Sequence, residues 1–210
     1  MSFCRHAVVA LVLASALAYA QSPSSSSKPH AKARENGAPD AGGITDGVYR
    51  NPSLNFSYKV PFGWVDRTSD MREGSEVGKS LLLLSMFERP PEAPDRGVNS
   101  SVLIAAENSS SYPGLKTPAE YLGPIAELAT ARGFKAADDP YESSVGGKLL
   151  VRADFAKPSG SSTVRQTSLV MLQKNWIVSF TFIAASDDEI DALLENLNFA
   201  GAAVPNKPSK

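Results

Sequence analysis

The stretch GVYRNPSLNFSYKVPFGW, residues 47–64, is where a polar leading segment ends and a foldable body begins. Its large apolar residues alternate with polar ones, which is typical of a strand with one buried face. These alternating residues are Leu54, Phe56, Tyr58 and Val60. Pro61 ends the strand because proline cannot donate to a sheet. We expect Phe62 and Trp64, in the tight turn that follows, to cap one end of the core rather than to bind a ligand.

Residues 1–20 have the three parts of a secretory signal peptide: Arg5, an apolar run, and Ala-Tyr-Ala before Gln21. The apolar run is shorter than the roughly 18 to 20 residues that span a bilayer. We therefore expect cleavage near Ala20, export to the periplasm or the medium, and no transmembrane segment afterwards. Residues 21–46 are rich in Ser, Pro, Ala and Gly, which predicts a disordered spacer.

Cysteine and histidine are missing from the body of the chain. Cys4 is the only cysteine, and the two histidines are His6 and His30, so none lies in residues 47–201. This composition excludes a cysteine nucleophile, Ser-His-Asp catalysis and the usual zinc and iron ligand sets from that domain. We expect no catalytic residues, no cofactor and no metal. Removal of Arg5 leaves a mature net charge of about −2, which disfavours nucleic-acid binding.

Further strands are predicted from apolar alternation after the opening stretch. They cover residues 79–87, 98–107, 148–157, 163–173 and 176–184. The first and last of these carry apolar residues on both faces, with Leu82, Leu84 and Met86 expected on one face of the first. Strands of this kind are covered on both sides. The last two should pair as a hairpin across Lys174 and Asn175.

Two helices are predicted from their capping signals. The first begins at Thr117, with Pro and Glu at the first and third helical positions, and continues to about Arg132 before Gly133. Pro124 should bend or break it. The second begins at Ser186 and closes near residues 198–199. Residues 202–210 are expected to form a flexible tail.

Charged loops provide the candidate interaction surface. Residues 66–78 and 88–97 are polar and rich in turn formers, so both are predicted to be loops. The candidate surface residues are Arg67, Arg72, Glu88, Arg89 and Arg96. The dense acidic clusters, at residues 138–139 and 187–189, are explained by a turn and by a helix N-terminus.

A known fold has the same order of elements. The residues that carry the likeness are Tyr49, Asn51, Phe56, Tyr58, Pro61, Gly63, Trp64 and the final segment 186–199. On these, the single domain of residues 47–201 resembles the PsbP-like fold shared with Ran-binding Mog-type proteins and small exported bacterial domains. The resemblance implies an α+β domain, a central antiparallel sheet with helices on both faces. It also implies a non-enzymatic binding or accessory role.

Three functions are compatible with the sequence. The favoured one is an exported, non-enzymatic accessory or protein-interaction domain whose partner is another envelope or secreted protein. A second is a carrier of a small apolar ligand, which would need a cavity of several hundred cubic ångströms. A third is a carboxylate-based hydrolase, which would need acidic side chains that converge across a cleft.

Overall fold

The structure is a computed structural model that describes residues 40–72, 80–90, 92–93 and 97–199. The predicted signal peptide, most of the spacer and the C-terminal tail lie outside the described residues. The described chain forms strands from Gly43 onward.

Twelve strands and three helices make up the described chain, together with a 3₁₀ turn at Ser109–Ser111. The strands are β1 Gly43–Thr45, β2 Val48–Asn51, β3 Phe56–Lys59, β4 Val65–Asp66, β5 Ser80–Phe87, β6 Ser101–Asn108, β7 Lys135–Ala136, β8 Tyr141–Val145, β9 Lys148–Ser159, β10 Ser162–Gln173, β11 Trp176–Ala184 and β12 Leu197–Phe199. The helices are α1 Thr68–Arg72, α2 Pro118–Ala131 and α3 Asp187–Leu194.

The strands form two antiparallel sheets. The larger sheet has the order β4-β5-β6-β11-β10-β9-β7, with β8 paired to β9 beside β7. The smaller sheet has the order β1-β2-β3-β12. The predicted hairpin is confirmed: β10 and β11 pair from Gln173 and Trp176 outward, and Lys174 in the turn has a φ of 55°.

The large sheet is covered differently on its two faces. On one face the apolar side of α2, including Tyr121 and Leu122, packs against residues of β9, β10 and β11. On the other face the small sheet and α3 pack together over β5, β6, β10 and β11. The α+β class and the antiparallel arrangement are confirmed. Covering by helices on both faces is not confirmed, because a second sheet accompanies α3 on that side.

Helix α2 follows its capping signals. The side chain of Glu120 accepts a hydrogen bond from the backbone N–H of Thr117, and Gly133 takes a φ of 84° just after the helix. The helix runs without a break through Pro124. The expected break is absent because buried residues on both sides of Pro124, Leu122 and Ala129 among them, keep the helix packed on the sheet.

Three local predictions are corrected. The expected loop 66–78 contains α1, where Thr68 Oγ1 accepts a hydrogen bond from the backbone N–H of Ser85 at 2.9 Å. The last helix ends at Leu194, and the residues expected to close it form β12, paired with β3.

The third correction concerns β5. Its pairing with β6 shifts between Leu82 and Leu84, which is a β-bulge. Leu82 therefore lines the α2 side of the sheet, while Leu84 and Met86 lie in the core beneath the small sheet. The three side chains do not share one face, because an inserted residue breaks the period of two.

Candidate functional site: an exposed aromatic surface and an internal groove

An open concavity surrounds the turn that ends the opening stretch of the domain. It has a volume of about 800 Å³ and lies between the small sheet and strand β4. We call it the Phe62 surface and define it by Ile44, Val48, Val60, Phe62, Trp64 and Met86. Lys59, Asp46 and Asp66 add charges to its rim.

The turn holds two aromatic residues in different environments. The backbone N–H of Trp64 donates to the carbonyl of Pro61 at 3.3 Å, and Gly63 has a φ of 81°, which favours glycine. Trp64 is half-buried and packs against the core, as expected. Phe62 is fully exposed, so the expectation that it caps the core is wrong. The tight turn points successive side chains in different directions, and only one of them reaches the core.

One of the sequence-predicted surface residues, Arg67, lies beside the rim of this concavity, and another, Arg72, lies further along β5. Arg67 follows Asp66 of the rim and forms an ion pair with Asp70 at 2.7 Å. Arg72 donates to the carbonyls of Leu82 and Leu83, at 2.6 and 3.0 Å, where the bulge disturbs the sheet. The guanidinium of Arg72 therefore has a structural role at the bulge.

The other predicted surface residues lie at the turn between β5 and β6. Arg89 donates to the carbonyl of Val98 at 2.8 Å, and a carboxylate oxygen of Glu88 lies 3.5 Å from the backbone nitrogen of Ser100. Arg96 lies outside the described residues. The structure thus places the described four along strand β5 rather than in one cluster.

A second concavity lies between α2 and the large sheet. We call it the α2 groove; its volume is about 160 Å³ and it is partly open to solvent. Tyr121, Ile125 and Leu128 of α2 form one wall, and Met71 of α1 contributes to the lining. Neighbouring strands β6 and β11 contribute Ala105 and Ser179, which lie opposite each other in the sheet.

Glu107 marks one end of the α2 groove. Its Oε1 accepts a hydrogen bond from the hydroxyl of Tyr121 at 2.7 Å, and its Oε2 accepts one from the hydroxyl of Tyr112. The two rings meet edge to face with centroids 5.1 Å apart. Burial, together with the Glu107 carboxylate, raises the pKa of both tyrosines, so both remain neutral donors.

The sequence analysis missed the α2 groove and its carboxylate. The available signal was a single charge, Glu107, near the end of an otherwise uncharged strand. Its partners Tyr112 and Tyr121 come from the following turn and helix, and only the packing of α2 on β6 brings them together. The periodicity of a sequence predicts which face of a strand or helix is buried. It does not predict which side chains of different elements come into contact.

The acidic clusters have structural roles in this fold. Asp138 and Asp139 are exposed between β7 and β8. Asp187 lies in the first turn of α3 and pairs with Arg165 at 3.1 Å. In the described part of the chain, no three His, Cys, Asp or Glu side chains are grouped so that they could hold a metal ion. None of the helices described has the length and apolar character needed to cross a membrane.

Comparisons with known proteins give similarity of fold. No protein-family model matches the sequence, and no curated protein matches it either. Among solved structures, the chain is similar to the cyanobacterial PsbP protein CyanoP of Synechocystis, at 14% identity and a TM-score of 0.49, over 75% of this chain and 96% of that one.

Two further solved structures are similar to the chain. LpqN of Mycobacterium tuberculosis, described as involved in cell envelope biogenesis, is 15% identical with a TM-score of 0.37, over 68% of this chain and 82% of that one. The Ran-binding protein Mog1p of Saccharomyces cerevisiae is 14% identical with a TM-score of 0.42, over 71% and 82%. The expected resemblance to PsbP-like and Mog-type proteins is thus found again. At these identities and TM-scores it concerns the fold and carries no argument about function.

Proposed function

We propose that the chain is an exported, non-enzymatic accessory domain that binds another envelope or secreted protein through the Phe62 surface. The observation that carries the proposal is the complete exposure of Phe62 on a hydrogen-bonded turn. Full burial of a phenylalanine side chain is worth about 1.5–3 kcal/mol, and this gain is not realised within the domain. A partner that covers the ring would realise it.

The surroundings of Phe62 support an interface with a protein. Aromatic anchors with an apolar neighbourhood and a charged rim are typical of interaction hot spots. Here Ile44 is 40% exposed beside Phe62, and Lys59, Asp46 and Asp66 supply charges of both signs. The concavity is wide and open, which suits a protruding element of a partner better than an enclosed small molecule.

The two alternative functions have weaker support. A carrier of an apolar ligand would need a cavity within the usual range of about 300–1,000 Å³. The α2 groove, at about 160 Å³, is below that range, and the larger concavity at the Phe62 surface is open rather than enclosed. A carboxylate-based hydrolase has no support from the acidic clusters, since Asp187 is paired with Arg165 in the first turn of a helix and Asp138 and Asp139 are exposed.

Site-specific photocrosslinking tests the proposal. A photoreactive phenylalanine analogue placed at position 62 of the full chain, expressed in its native cell, should crosslink one defined envelope or secreted protein. Leu149 is the matched control, since it is a large apolar residue that is 60% exposed on β9, near the opposite edge of the large sheet. The analogue at position 149 should not capture the same protein.

Serine variants provide the second arm of this experiment. Phe62→Ser should reduce co-purification of the crosslinked partner at least tenfold, because an aromatic anchor at the centre of an interface contributes about 2 kcal/mol or more. Leu149→Ser should leave co-purification unchanged, and both variants should keep the wild-type circular dichroism. Equal crosslinking from the two positions, or full retention by Phe62→Ser, would contradict the proposal.

A further inference from the structure

The carboxylate of Glu107 forms no salt bridge with a cationic side chain of the described residues, although it lines a groove. Its two recorded hydrogen bonds come from the neutral hydroxyls of Tyr112 and Tyr121. An ionised carboxylate offers about four lone-pair sites, so each oxygen of Glu107 can accept a further hydrogen bond. The side chain is half-buried and lines the α2 groove, so this remaining capacity faces the cavity.

The remaining lining of the α2 groove is largely apolar. Tyr121, Ile125 and Leu128 line it from one face of α2, and Arg132 lines it just after the helix ends. Tyr121 and Leu128 are separated by about 10 Å along the helix axis, from the rise of 1.5 Å per residue. The volume of about 160 Å³ is close to that of an apolar cavity of about 150 Å³ known to hold benzene. A body of about six carbon atoms therefore fits the groove.

We propose that the α2 groove binds a small molecule with a primary ammonium group at one end and an apolar body of about six carbons. The ammonium donates to Glu107, and the body lies between Ile125 and Ala105. This site is separate from the Phe62 surface, and the proposal does not depend on the protein partner proposed above.

The chemistry of the groove selects a cation at the Glu107 end. A ligand with a carboxylate head group would be repelled by the Glu107 carboxylate. A neutral alcohol could donate a hydrogen bond to Glu107 but would lack the attraction between opposite charges. Gln166, which is buried and lines the groove, donates to Ser168 Oγ. The groove thus combines the Glu107 carboxylate with a second polar side chain in its lining.

Three probes of equal length test this selectivity on the wild-type protein. Hexylamine, 1-hexanol and hexanoate share a six-carbon body and differ in the charge of the head group. Isothermal titration calorimetry or ligand-observed NMR should detect binding of hexylamine at least tenfold tighter than that of 1-hexanol, because a charge-assisted hydrogen bond is about twice as strong as a neutral one. Hexanoate should bind more weakly than either. Equal binding of the three, or no binding of hexylamine, would overturn the proposal.

Two variants locate the site. Glu107→Gln keeps the shape and an acceptor for a tyrosine hydroxyl but loses the charge, and it should weaken hexylamine binding about tenfold while leaving 1-hexanol unaffected. Ala105→Leu fills the groove and should weaken binding of both probes. Glu142→Gln, at an exposed carboxylate on β8, is the matched control and should change nothing. Unchanged hexylamine binding in folded Glu107→Gln and Ala105→Leu proteins would place the ligand elsewhere and overturn the assignment.

Discussion

The two faces of strand β11 pack in contrasting ways. Towards the small sheet, Val178, Phe180 and Phe182 are completely buried. Towards α2, the alternate residues include Ser179 and Thr181, which are polar and half-buried in the wall of the α2 groove. One face is therefore closed by apolar contacts, and the other keeps unfilled space with polar atoms in it. The small-sheet side of β11 is filled, while the α2 side combines a buried core at Ile177 with a groove at Ser179 and Thr181.

The Phe62 surface lies at the edge of the closed side. The aromatic core there includes Phe56, whose ring meets Phe180 edge to face at 5.1 Å, and Phe199, which meets Phe180 at 6.0 Å. Phe62 takes no part in this cluster although it belongs to the same opening stretch of sequence. Phe56, Phe180 and Phe199 thus stabilise the domain, whereas Phe62 is exposed and accessible to another molecule.

The strongest test of the contrast is a pair of neighbouring truncations in β11. Phe180→Ala should lower the free energy of unfolding by about 3–5 kcal/mol, because it leaves a cavity in a fully buried aromatic cluster. Thr181→Ala, one residue further on and on the opposite face, should cost about 1 kcal/mol through its hydrogen bond to Ser168. Urea unfolding followed by circular dichroism measures both values. Equal losses would show that the two faces contribute alike.

Alkaline pH should act through the buried tyrosines. Burial raises the pKa of Tyr121 and of Tyr58 above the ordinary value of 10.0. Above that ordinary value the unfolded chain loses tyrosine protons that the folded chain keeps, so stability is complete below pH 10 and is lost as the pH rises toward the folded values.

Absorbance of tyrosinate provides the measurement for this prediction. At pH about 11, fewer tyrosines should ionise in the native protein than in the same protein unfolded in guanidinium chloride. The free energy of unfolding should fall over the same range. A native titration curve identical to that of the unfolded chain would contradict the prediction.

The smallest expected effect concerns two tyrosines of the small sheet. The hydroxyl of the fully buried Tyr58 has no hydrogen-bond partner in acceptable geometry among the described residues, although the Asn196 side chain approaches it. Tyr58→Phe should therefore stabilise the protein by about 1 kcal/mol. Tyr49→Phe is the matched control and should cost about 1 kcal/mol, because the Tyr49 hydroxyl donates to the carbonyl of Ala41 at 2.8 Å. Thermal unfolding should separate the two variants by the sign of the shift in Tm.

The sequence predicted those elements whose cause is local. The β10–β11 hairpin follows from alternation on either side of a two-residue turn, and α2 follows from the capping residues Thr117 and Glu120. The start of α3 is likewise predicted by its capping residue, and the Ser186 hydroxyl accepts a hydrogen bond from the backbone N–H of Glu189. In these segments, short-range hydrogen bonds and the periodicity of burial point to the same structure.

The missed elements depend on contacts between distant segments. Helix α1 is mostly polar, and its position depends on the hydrogen bond between Ser85 and Thr68 across the edge of the sheet. Strand β12 is three residues long and is defined by pairing with β3. Likewise, the candidate sites depend on which way Phe62 points and on where α2 lies over Glu107. Neither the direction of the Phe62 side chain nor the position of α2 can be predicted from the sequence of one segment alone.

The pairing of β12 with β3 has a consequence for the synthesis of the chain. Phe56 and Phe199 are register partners, so the small sheet joins segments near the two ends of the described domain. While the polypeptide is being made, β3 has no edge partner on that side until Phe199 has left the ribosome. The aromatic core around Phe180 therefore closes after translation of the domain rather than during it. Contacts of such long sequence separation also slow folding, which leaves the nascent chain a period in which it is still extended.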